Sequence, residues 1–500
     1  MQDDAIRGSG AYERKIIYLL CALAAVRVFI FSGAFPLINN VDEYAHLDLV
    51  VKYSHGDIPR GVEPISREAM EYLVIYGSQE FLWPPRTFPG GKFPPPPWTQ
   101  PAEKVAPLLL AREQKWQGPN LESTQPPLYY LLAGVWWRVG GWLGFEGGRL
   151  VYWLRFLNIL FVVLVVWMAY RAARLVFPDN SFIPPGVPAL VAFLPQTAFY
   201  SIDNDILSPV CFGAAFICII KLWEAETPGV RLGAATGLAL AAVFLTKMSN
   251  LPLLAVAFAA ILWKIFQMAK AKQMRAALPA MAALFCCAFL PMAAWVAWCK
   301  IQFGDFTGSA AKVRVLGWTV KPFSAWWRHP IFSPGGTWTY LSGQLGTFWQ
   351  GEFLWHGRAL APPGAGAFYT VLSLVMIVAA LAGLRPRLGN VGPMQCRAIG
   401  FSFAGVVAAL GFFAFLSIIY DFHNCQNPSR EHPYFHAGRM FLGALIPFSL
   451  LFVFGIDRVL NRFGAAAKFF ALGGLVLFMF ISEVATDWPV FSSPYNWFHM

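Results

Sequence analysis

Long apolar runs recur along this chain, and they decide what it can fold into. A bilayer hydrocarbon core of about 30 Å needs about 20 apolar residues per helix. Eleven runs of this kind are centred on residues 16–38, 150–172, 183–201, 206–222, 231–247, 250–267, 278–299, 367–384, 398–420, 438–458 and 467–484. Since only 13% of the residues are charged, the sequence predicts an all-α polytopic membrane protein with about 11 transmembrane helices.

The net charge of +11 has a simple explanation in such a protein. Lys and Arg collect in the cytoplasmic loops of polytopic proteins, and no nucleic-acid-binding module is visible in the sequence. We therefore expect the lipid bilayer, and no nucleic acid, as a partner. The first run, 16–38, is too long for the apolar region of a signal peptide, so we expect it to remain as an anchor.

The stretch "PPLYYLLAGVWWRVGGWLGF", residues 126–145, decides the topology. If it does not cross the membrane, every short basic loop falls on one side, in agreement with the positive-inside rule. If it does cross, the basic loop "KIFQMAKAKQMR" lies outside. We therefore expect an amphipathic helix in the outer interface, anchored by its Trp residues, and a cytoplasmic N-terminus.

Two large segments then face outward, 39–149 and 300–366, and we expect them to form the active-site and acceptor face of a single domain, 1–500. The first contains "FLWPPRTFPGGKFPPPPWTQP", whose proline density excludes regular helix. The second is rich in Trp, which suits a sugar-stacking surface or a membrane interface.

The stretch "NNVDEYAHLDLV" places acidic residues and an imidazole directly after the first run. On a helix, Asp42 and His46 share one face, while Glu43 points to a flank. Asp42 could accept a proton from a hydroxyl, or hold a cation together with His46. The alternative is a solvated helix end. Charge this close to hydrocarbon is costly unless it faces a cavity or a partner, which favours a function.

Further charged residues are predicted at the same outer face. "YSIDND" brings Asp203 and Asp205 to an outer turn, where they either act in a site or simply form the turn. Lys247 lies at another outer turn, where a Lys either binds a lipid phosphate or extends to the interface. Arg439, preceded by Tyr434 and His436, stands at the mouth of the run 438–458 and offers a planar fork suited to phosphate.

The motifs "VDEYAHLDLVVKYSHGDIP", "QPPLYYLL", "YSIDND" and "AGRMFLGALIP", in this order, resemble the glycosyltransferase-C superfamily (GT-C) over most of the chain. The similarity is to a bacterial branch that is distantly similar to the lipid A aminoarabinose transferases and the protein O-mannosyltransferases. Two departures are visible: Gln125 stands where many relatives have His or Lys, and "HAGRM" replaces the commoner Gln-Gly-Arg-Tyr pattern.

The resemblance implies a GT-C-like fold with interfacial helices in a large first outer loop. It implies transfer of a sugar from a polyprenyl-phosphate-linked donor to an envelope glycan, lipid or protein at the outer face of the bacterial inner membrane. The catalytic residues would be Asp42, as the base, and its neighbour Glu43, and Lys247 and Arg439 would bind the donor phosphate. The substrate-binding residues would be His46, Gln125, Asp203, Asp205, Tyr434 and His436. A divalent cation is possible but not required.

Two other classes of function remain open from the sequence. A transporter or flippase of lipid-linked sugars would place its coupling residues near the bilayer midplane, in broken helices and repeated halves. A non-catalytic scaffold would need no clustered outward acids. The discriminating observation is whether the acids at 42–43 and those at 203–205 meet around one outward cavity.

Overall fold

The protein is helical almost throughout. The computed structural model describes residues 2–81, 83–116, 118–385, 391–425 and 427–500, and side chains from residue 13 onward except 112–116. The α-helices are α1 (Gln2–Ala34), α2 (Glu43–Ser54), α3 (Arg67–Tyr76), α4 (Ala102–Trp116), α5 (Leu128–Trp142), α6 (Gly147–Val176), α7 (Ile183–Ala192), α8 (Ser208–Glu224), α9 (Val230–Thr246), α10 (Leu251–Lys270), α11 (Met274–Phe303), α12 (Ser309–Val315), α13 (Phe323–Trp326), α14 (Pro334–Gln350), α15 (Ala365–Ala382), α16 (Pro393–Ile419), α17 (Leu445–Val459) and α18 (Gly464–Phe491).

Sheet structure within these residues amounts to two small antiparallel pairs. Strand β1 (Thr319–Val320) pairs with β4 (Tyr420–Asp421), and β2 (Leu354–Trp355) pairs with β3 (Arg358–Ala359). The first pair joins the segment after α12 to the segment after α16.

Nine helices of the described residues are long and apolar enough to cross a membrane: Glu13–Ala34, Gly147–Val176, Asn204–Glu224, Met248–Lys270, Met274–Phe303, Ala365–Gly383, Pro393–Ile419, Gly438–Val459 and Asn461–Phe491. Two shorter apolar helices are Ile183–Ala192 and Val230–Thr246. Each of the eleven predicted runs therefore contains an apolar helix, and the prediction of an all-α polytopic membrane protein is confirmed.

The predicted span 183–201 needs a correction, because its helix α7 ends at Ala192. Pro195 follows, and a proline in the next turn lacks the amide proton and clashes with the preceding turn. The chain continues as a short 3₁₀ turn, Thr197–Tyr200. Ten helical residues extend about 15 Å, about half of the hydrocarbon thickness.

Two helices mark the centre and the edge of the bundle. In the span Gly438–Val459, which contains α17, 94% of the most apolar 18-residue stretch is buried inside the protein. In the span Asn461–Phe491, which contains α18, the corresponding share is 11%. Close packing elsewhere depends on glycine: a Cβ at Gly233 or Gly237 of α9 would lie 2.0 or 2.2 Å from backbone oxygens of α11. This four-residue spacing of small residues lets two membrane helices approach closely.

The stretch 126–145 contains α5, which has the two-faced character that the sequence predicted. Tyr130 and Trp137 are buried, whereas Val135 and Trp142 are exposed. Its 15 residues are too few to cross a bilayer. The proline-rich segment before it forms short 3₁₀ turns at Pro85–Thr87, Pro89–Gly91 and Pro97–Thr99, and its described residues include no α-helix, which agrees with the predicted exclusion of regular helix.

Candidate active site

Arg439 lies at the centre of a cluster of carboxylates from distant parts of the chain. Its Nη2 donates to Asp42 Oδ2 at 2.7 Å, and its Nη1 donates to Asp203 Oδ2 at 2.6 Å. Its Nε lies 3.3 Å from Glu352 Oε2, and Nη1 lies 3.8 Å from Asp205 Oδ2. The acids at 42 and at 203 and 205 therefore meet at one guanidinium.

Lys247 adds a second positive charge to this cluster. Its Nζ lies 2.7 Å from Asp205 Oδ2 and 3.9 Å from Asp203 Oδ1. Lys247 has extended backbone at the end of α9, where the helix gives way to the 3₁₀ turn Met248–Asn250. The cluster thus combines two cationic with four carboxylate side chains.

The "DND" motif acts both as a turn and as part of the cluster. Asp203 Oδ1 accepts the backbone amide of Asp205 at 2.8 Å and caps the 3₁₀ turn Asn204–Leu207 that leads into α8. This is the usual local hydrogen bond of an Asp at a helix start. Its other oxygen, Oδ2, is the one that Arg439 contacts, so Asp203 forms the predicted turn and also belongs to the cluster.

Close packing at Gly438 explains why Arg439 and Glu352 meet. A Cβ at Gly438 would lie 2.0 Å from the backbone nitrogen of Phe348 in α14, so only glycine fits there. The Gly438 amide also donates to Thr347 Oγ1 at 2.9 Å. Since α14 ends at Gln350, this contact brings Glu352 next to the guanidinium.

Solvent reaches the cluster from the side of Asp42. The Asp42 side chain is 35% exposed and that of Glu352 is 16% exposed, compared with 1% for Asp203 and Asp205. Asp42 precedes α2 with a left-handed backbone, φ 62°, and its carboxylate makes no capping bond to the helix. Asp tolerates this conformation better than most residues, and here it frees the carboxylate for Arg439.

Burial and neighbouring positive charges set the protonation of the Asp203 and Glu352 carboxyl groups. Burial raises the pKa of the Asp203 carboxyl, but the positive charges of Arg439 and Lys247 outweigh it and hold that pKa below its ordinary value. At Glu352 burial prevails over the attraction of Arg439, and the pKa is raised. Asp203 is therefore a fixed negative charge, and Glu352 holds a proton more readily than an ordinary Glu.

His46 is buried beside the cluster. Its Nδ1 lies 2.8 Å from the hydroxyl of Tyr130 in α5, and its Nε2 lies 3.7 Å from Asp203 Oδ1 without a hydrogen bond. Burial lowers the pKa of His46, against the attraction of Asp203. The imidazole is thus predominantly neutral near pH 7, with one nitrogen available.

A second ion pair lies next to the cluster, between Glu122 and Lys312. Lys312 Nζ is 2.5 Å from Glu122 Oε1, and Gln125 Nε2 donates to Glu122 Oε2 at 2.6 Å. Burial lowers the pKa of Lys312, but Glu122 and Asp42 outweigh it and raise that pKa. Lys312 is 30% exposed, so it is a charged and accessible cation of this face.

Glu43 contacts a different cation from its neighbour Asp42. Arg155 of α6 donates from Nε to Glu43 Oε1 at 2.7 Å and from Nη2 to Oε2 at 2.8 Å. The two oxygens also accept the backbone amides of Ile202 and Asn39. The Glu43 carboxylate is fully buried and engaged in these contacts, which favours a structural role over the predicted catalytic one.

Tyr434 and His436, predicted to bind substrate, contact another part of the protein. The Tyr434 ring lies against His329, with centroids 5.7 Å apart. His436 packs on α14 at Gly343, and its carbonyl accepts from Thr347 Oγ1 at 3.2 Å. Their contacts support α14 instead of lining the carboxylate cluster.

Sequence reasoning did not identify Glu352, Glu122, Lys312 or Arg155. Glu122 lies three residues before Gln125, and Glu352 and Lys312 lie within the outer segment 300–366. The scarcity of acids, 27 Asp and Glu in 500 residues, was the available signal for the two Glu residues. Arg155 gave a signal too, because a charge inside an apolar run is costly without a partner.

A cation site was left open by the sequence. Among the residues that the structure describes, no group of three or more His, Cys, Asp or Glu side chains is arranged to hold a metal ion. The carboxylates at Arg439 are instead engaged with cationic side chains. The site as it stands offers an accessible carboxylate, fixed positive charges and a neutral imidazole.

Comparisons with known proteins agree with the membrane fold. The family model described as a predicted membrane protein, DUF2142, matches residues 26–419. A search of curated proteins finds none that matches.

Two solved structures are similar to this chain. One is the Archaeoglobus fulgidus oligosaccharyltransferase in complex with Zn and sulfate, at 13% identity over 94% of this chain, with a TM-score of 0.37. The chain spans about half of that protein, 52% of its length. The other is ArnT from Cupriavidus metallidurans bound to undecaprenyl phosphate, at 12% identity over 89% of this chain and 77% of ArnT, with a TM-score of 0.33.

Proposed function

This chain belongs to the DUF2142 family of predicted membrane proteins, and we propose that it is a membrane glycosyltransferase. In this proposal it moves a hexosyl or pentosyl group from a polyprenyl-phosphate donor to an envelope glycan, lipid or protein. The observation that carries the proposal is the meeting of Asp42 and Asp203 at Arg439, with Lys247 beside them. An accessible carboxylate next to fixed cations suits transfer from a phosphate leaving group.

The reaction would be a direct displacement at the anomeric carbon. The acceptor hydroxyl, or amine, forms the new bond to that carbon while the bond from the carbon to the phosphate oxygen breaks. Asp42 takes the acceptor proton, and the electron pair of the broken bond stays on the phosphate. One such displacement inverts the anomeric configuration, with the base and the leaving group on opposite faces of the sugar.

The cations would act on the leaving phosphate. Its negative charge grows in the transition state, and preorganised positive groups stabilise such charge strongly in a site that excludes water. Arg439 Nη2 is occupied by Asp42 in the present structure. We propose that the donor phosphate takes the place of Asp42 on this nitrogen, which frees the carboxylate to accept a proton. Lys247 and the more exposed Lys312 provide further positive charge near the phosphate.

The positions of these residues support an enzyme over a transporter. Asp42 follows the end of α1, Lys247 follows the end of α9, and Asp203 and Arg439 precede α8 and α17. The cluster therefore lies where apolar helices begin or end, whereas transporter sites are common at helix breaks near the bilayer midplane. With the positive-inside rule, we place it at the outer face of the bacterial inner membrane and the N-terminus in the cytoplasm.

The proposal is tested with the purified protein in lipid nanodiscs and a panel of polyprenyl-phosphate sugars. We expect release of free polyprenyl phosphate for at least one donor when envelope extract supplies the acceptor. Arg439→Ala should lower this release by about 10²–10³-fold, the typical cost of removing one charge-stabilising donor. Mass spectrometry of the lipid product provides the measurement.

Arg430→Ala is the matched control, because Arg430 lies in the same connection between α16 and α17 as Arg439 and its exposed guanidinium pairs with Asp421 at 3.0 Å. It should release polyprenyl phosphate like the wild type. Equal loss in both variants would contradict the phosphate role of Arg439. In proteoliposomes, movement of intact donors across the bilayer without cleavage would identify a transporter instead.

A further inference from the structure

A groove at the opposite end of the bundle lies between α1, α6, α7 and α18. Its volume is about 780 Å³. One end is polar, with Glu13 at the start of the first span, Arg174 near the end of α6, and Asp179 in the turn that follows. The candidate active site lies at the other end of α1, since Asp42 follows Ala34. This groove is thus separate from the site described above.

The shape of the groove follows from small side chains. Gly186 and Ala189 of α7 and Gly473 of α18 line the groove and have almost no side-chain volume. A Cβ at Gly473 would meet nothing within 4 Å. An apolar space of this kind at membrane depth suits a lipid chain, since water gains no partners there.

The polar end of the groove carries charges of both signs. Arg174 Nη1 lies 3.8 Å from Glu13 Oε2, and Asp179 lines the same end. One guanidinium suits a phosphate diester, while two carboxylates suit a primary ammonium, which can donate up to three hydrogen bonds. Among the described residues that line the groove, a headgroup with net negative charge would face two carboxylates and one cation. A quaternary ammonium has no proton to donate to either acid.

We propose that this groove is a binding site for a phospholipid with a phosphoethanolamine headgroup. The phosphate contacts Arg174, the ammonium lies between Glu13 and Asp179, and one acyl chain lies along Gly186, Ala189 and Gly473. By the charge bias of the loops, the site faces the cytoplasmic leaflet. This proposal does not depend on the proposed glycosyl transfer, because none of its residues belongs to the Arg439 cluster.

Native mass spectrometry of the purified full-length protein tests the site. The protein is titrated with phosphatidylethanolamine, phosphatidylcholine and phosphatidylglycerol of identical acyl chains, and the dissociation constant of the first bound lipid is measured. We expect phosphatidylethanolamine to bind about tenfold more tightly than the other two, because its ammonium forms a charge-assisted hydrogen bond to a carboxylate of the groove. Equal or tighter binding of either of the other lipids would overturn the proposal.

Two adjacent glycines provide a matched pair of variants. Gly473→Leu fills the groove, whereas Gly474→Leu points into a different apolar cavity between α15, α17 and α18. An added Cβ meets nothing within 4 Å at either position. Gly473→Leu should weaken phosphatidylethanolamine binding about tenfold and Gly474→Leu should not. Unchanged binding in Gly473→Leu would contradict the proposed chain position.

A headgroup variant tests the ammonium contact independently of packing. Asp179 is exposed, so Asp179→Asn is expected to fold normally. It should reduce the preference for phosphatidylethanolamine over phosphatidylcholine while leaving phosphatidylcholine binding unchanged. If the preference stays at the wild-type ratio, the carboxylate does not hold the ammonium and the assigned headgroup is wrong.

Discussion

Three acidic residues within seven positions, Asp42, Glu43 and Asp48, have three different surroundings. Asp42 is partly exposed and contacts Arg439. Glu43 is buried against Arg155. Asp48 is buried, 2.9 Å from Lys52 Nζ, and accepts the amide of Ser66. Asp42 precedes α2 with a left-handed backbone, whereas Glu43 and Asp48 lie on the helix and point in different directions. A single cluster in the sequence therefore separates into one candidate base and two structural ion pairs.

The buried imidazole of His46 makes stability depend on pH. Burial lowers its pKa in the folded protein, so the unfolded chain binds the proton more readily. The stability that the neutral imidazole provides is therefore fully present above the unfolded pKa of about 6.5. It is lost as the pH falls below that value, and the free energy of unfolding decreases by at most about 1.4 kcal/mol per pH unit. We expect the thermal unfolding midpoint in detergent to decrease as the pH is lowered from 8 to 5.

His46→Gln is the control for this dependence, because an amide keeps a polar partner for Tyr130 but does not titrate. Its thermal midpoint should fall less than that of the wild type over the same pH range. If both proteins lose the same amount, other groups account for the acid sensitivity, and the neutral His46 is not supported.

Between α1 and α2, the Glu43–Arg155 pair holds the chain that carries Asp42. Arg155 also donates to the carbonyls of Phe35 and Pro36, and Glu43 accepts from Ile202, next to Asp203. This pair thus fixes two segments that supply carboxylates to Arg439. Glu43→Ala would leave Arg155 as a buried, unpaired charge, which costs about 3–5 kcal/mol. Thermal unfolding in detergent should show a clearly lower midpoint.

Glu71→Ala is the matched control for this prediction, since Glu71 pairs with Arg67 on the exposed face of α3. Exposed pairs contribute about 0–1 kcal/mol, so its midpoint should stay close to the wild-type value. A Glu43→Ala protein with normal stability and abolished sugar transfer would instead restore the catalytic role that the sequence predicted for Glu43.

Features that depend on residues close together in the sequence could be predicted, whereas features that depend on contacts between distant residues were harder to predict. Apolar length predicted the spanning helices, and local spacing predicted the turn at Asp203. The pairing of Asp42 with Arg439, 397 positions apart, follows from helix packing and could be suggested only by charge sidedness and family resemblance. Glu352 was missed because its place depends on the contact of α14 with Gly438, which no local pattern reveals.

Across the whole molecule, the two ends of the bundle differ in character. One end brings together Asp42, Asp203, Lys247 and Arg439 at the ends of membrane helices. The other carries the groove with Arg174 at its mouth. In our account the first end performs transfer at the outer face and the second contacts lipid at the inner face. At the first end we propose that Asp42, the most exposed carboxylate of the cluster, is the catalytic base.

The most direct test of this claim compares sugar transfer by Asp42→Asn and by the wild-type protein in nanodiscs with the same polyprenyl-phosphate donor. Asp57→Asn is the matched control, the same change at an exposed Asp of the same outer segment. Loss of a general base costs about 10²–10⁴-fold in rate, so Asp42→Asn should lose transfer to that extent at normal thermal stability, while Asp57→Asn retains it. Transfer by Asp42→Asn within a few-fold of the wild type would contradict the assignment of Asp42 as the base.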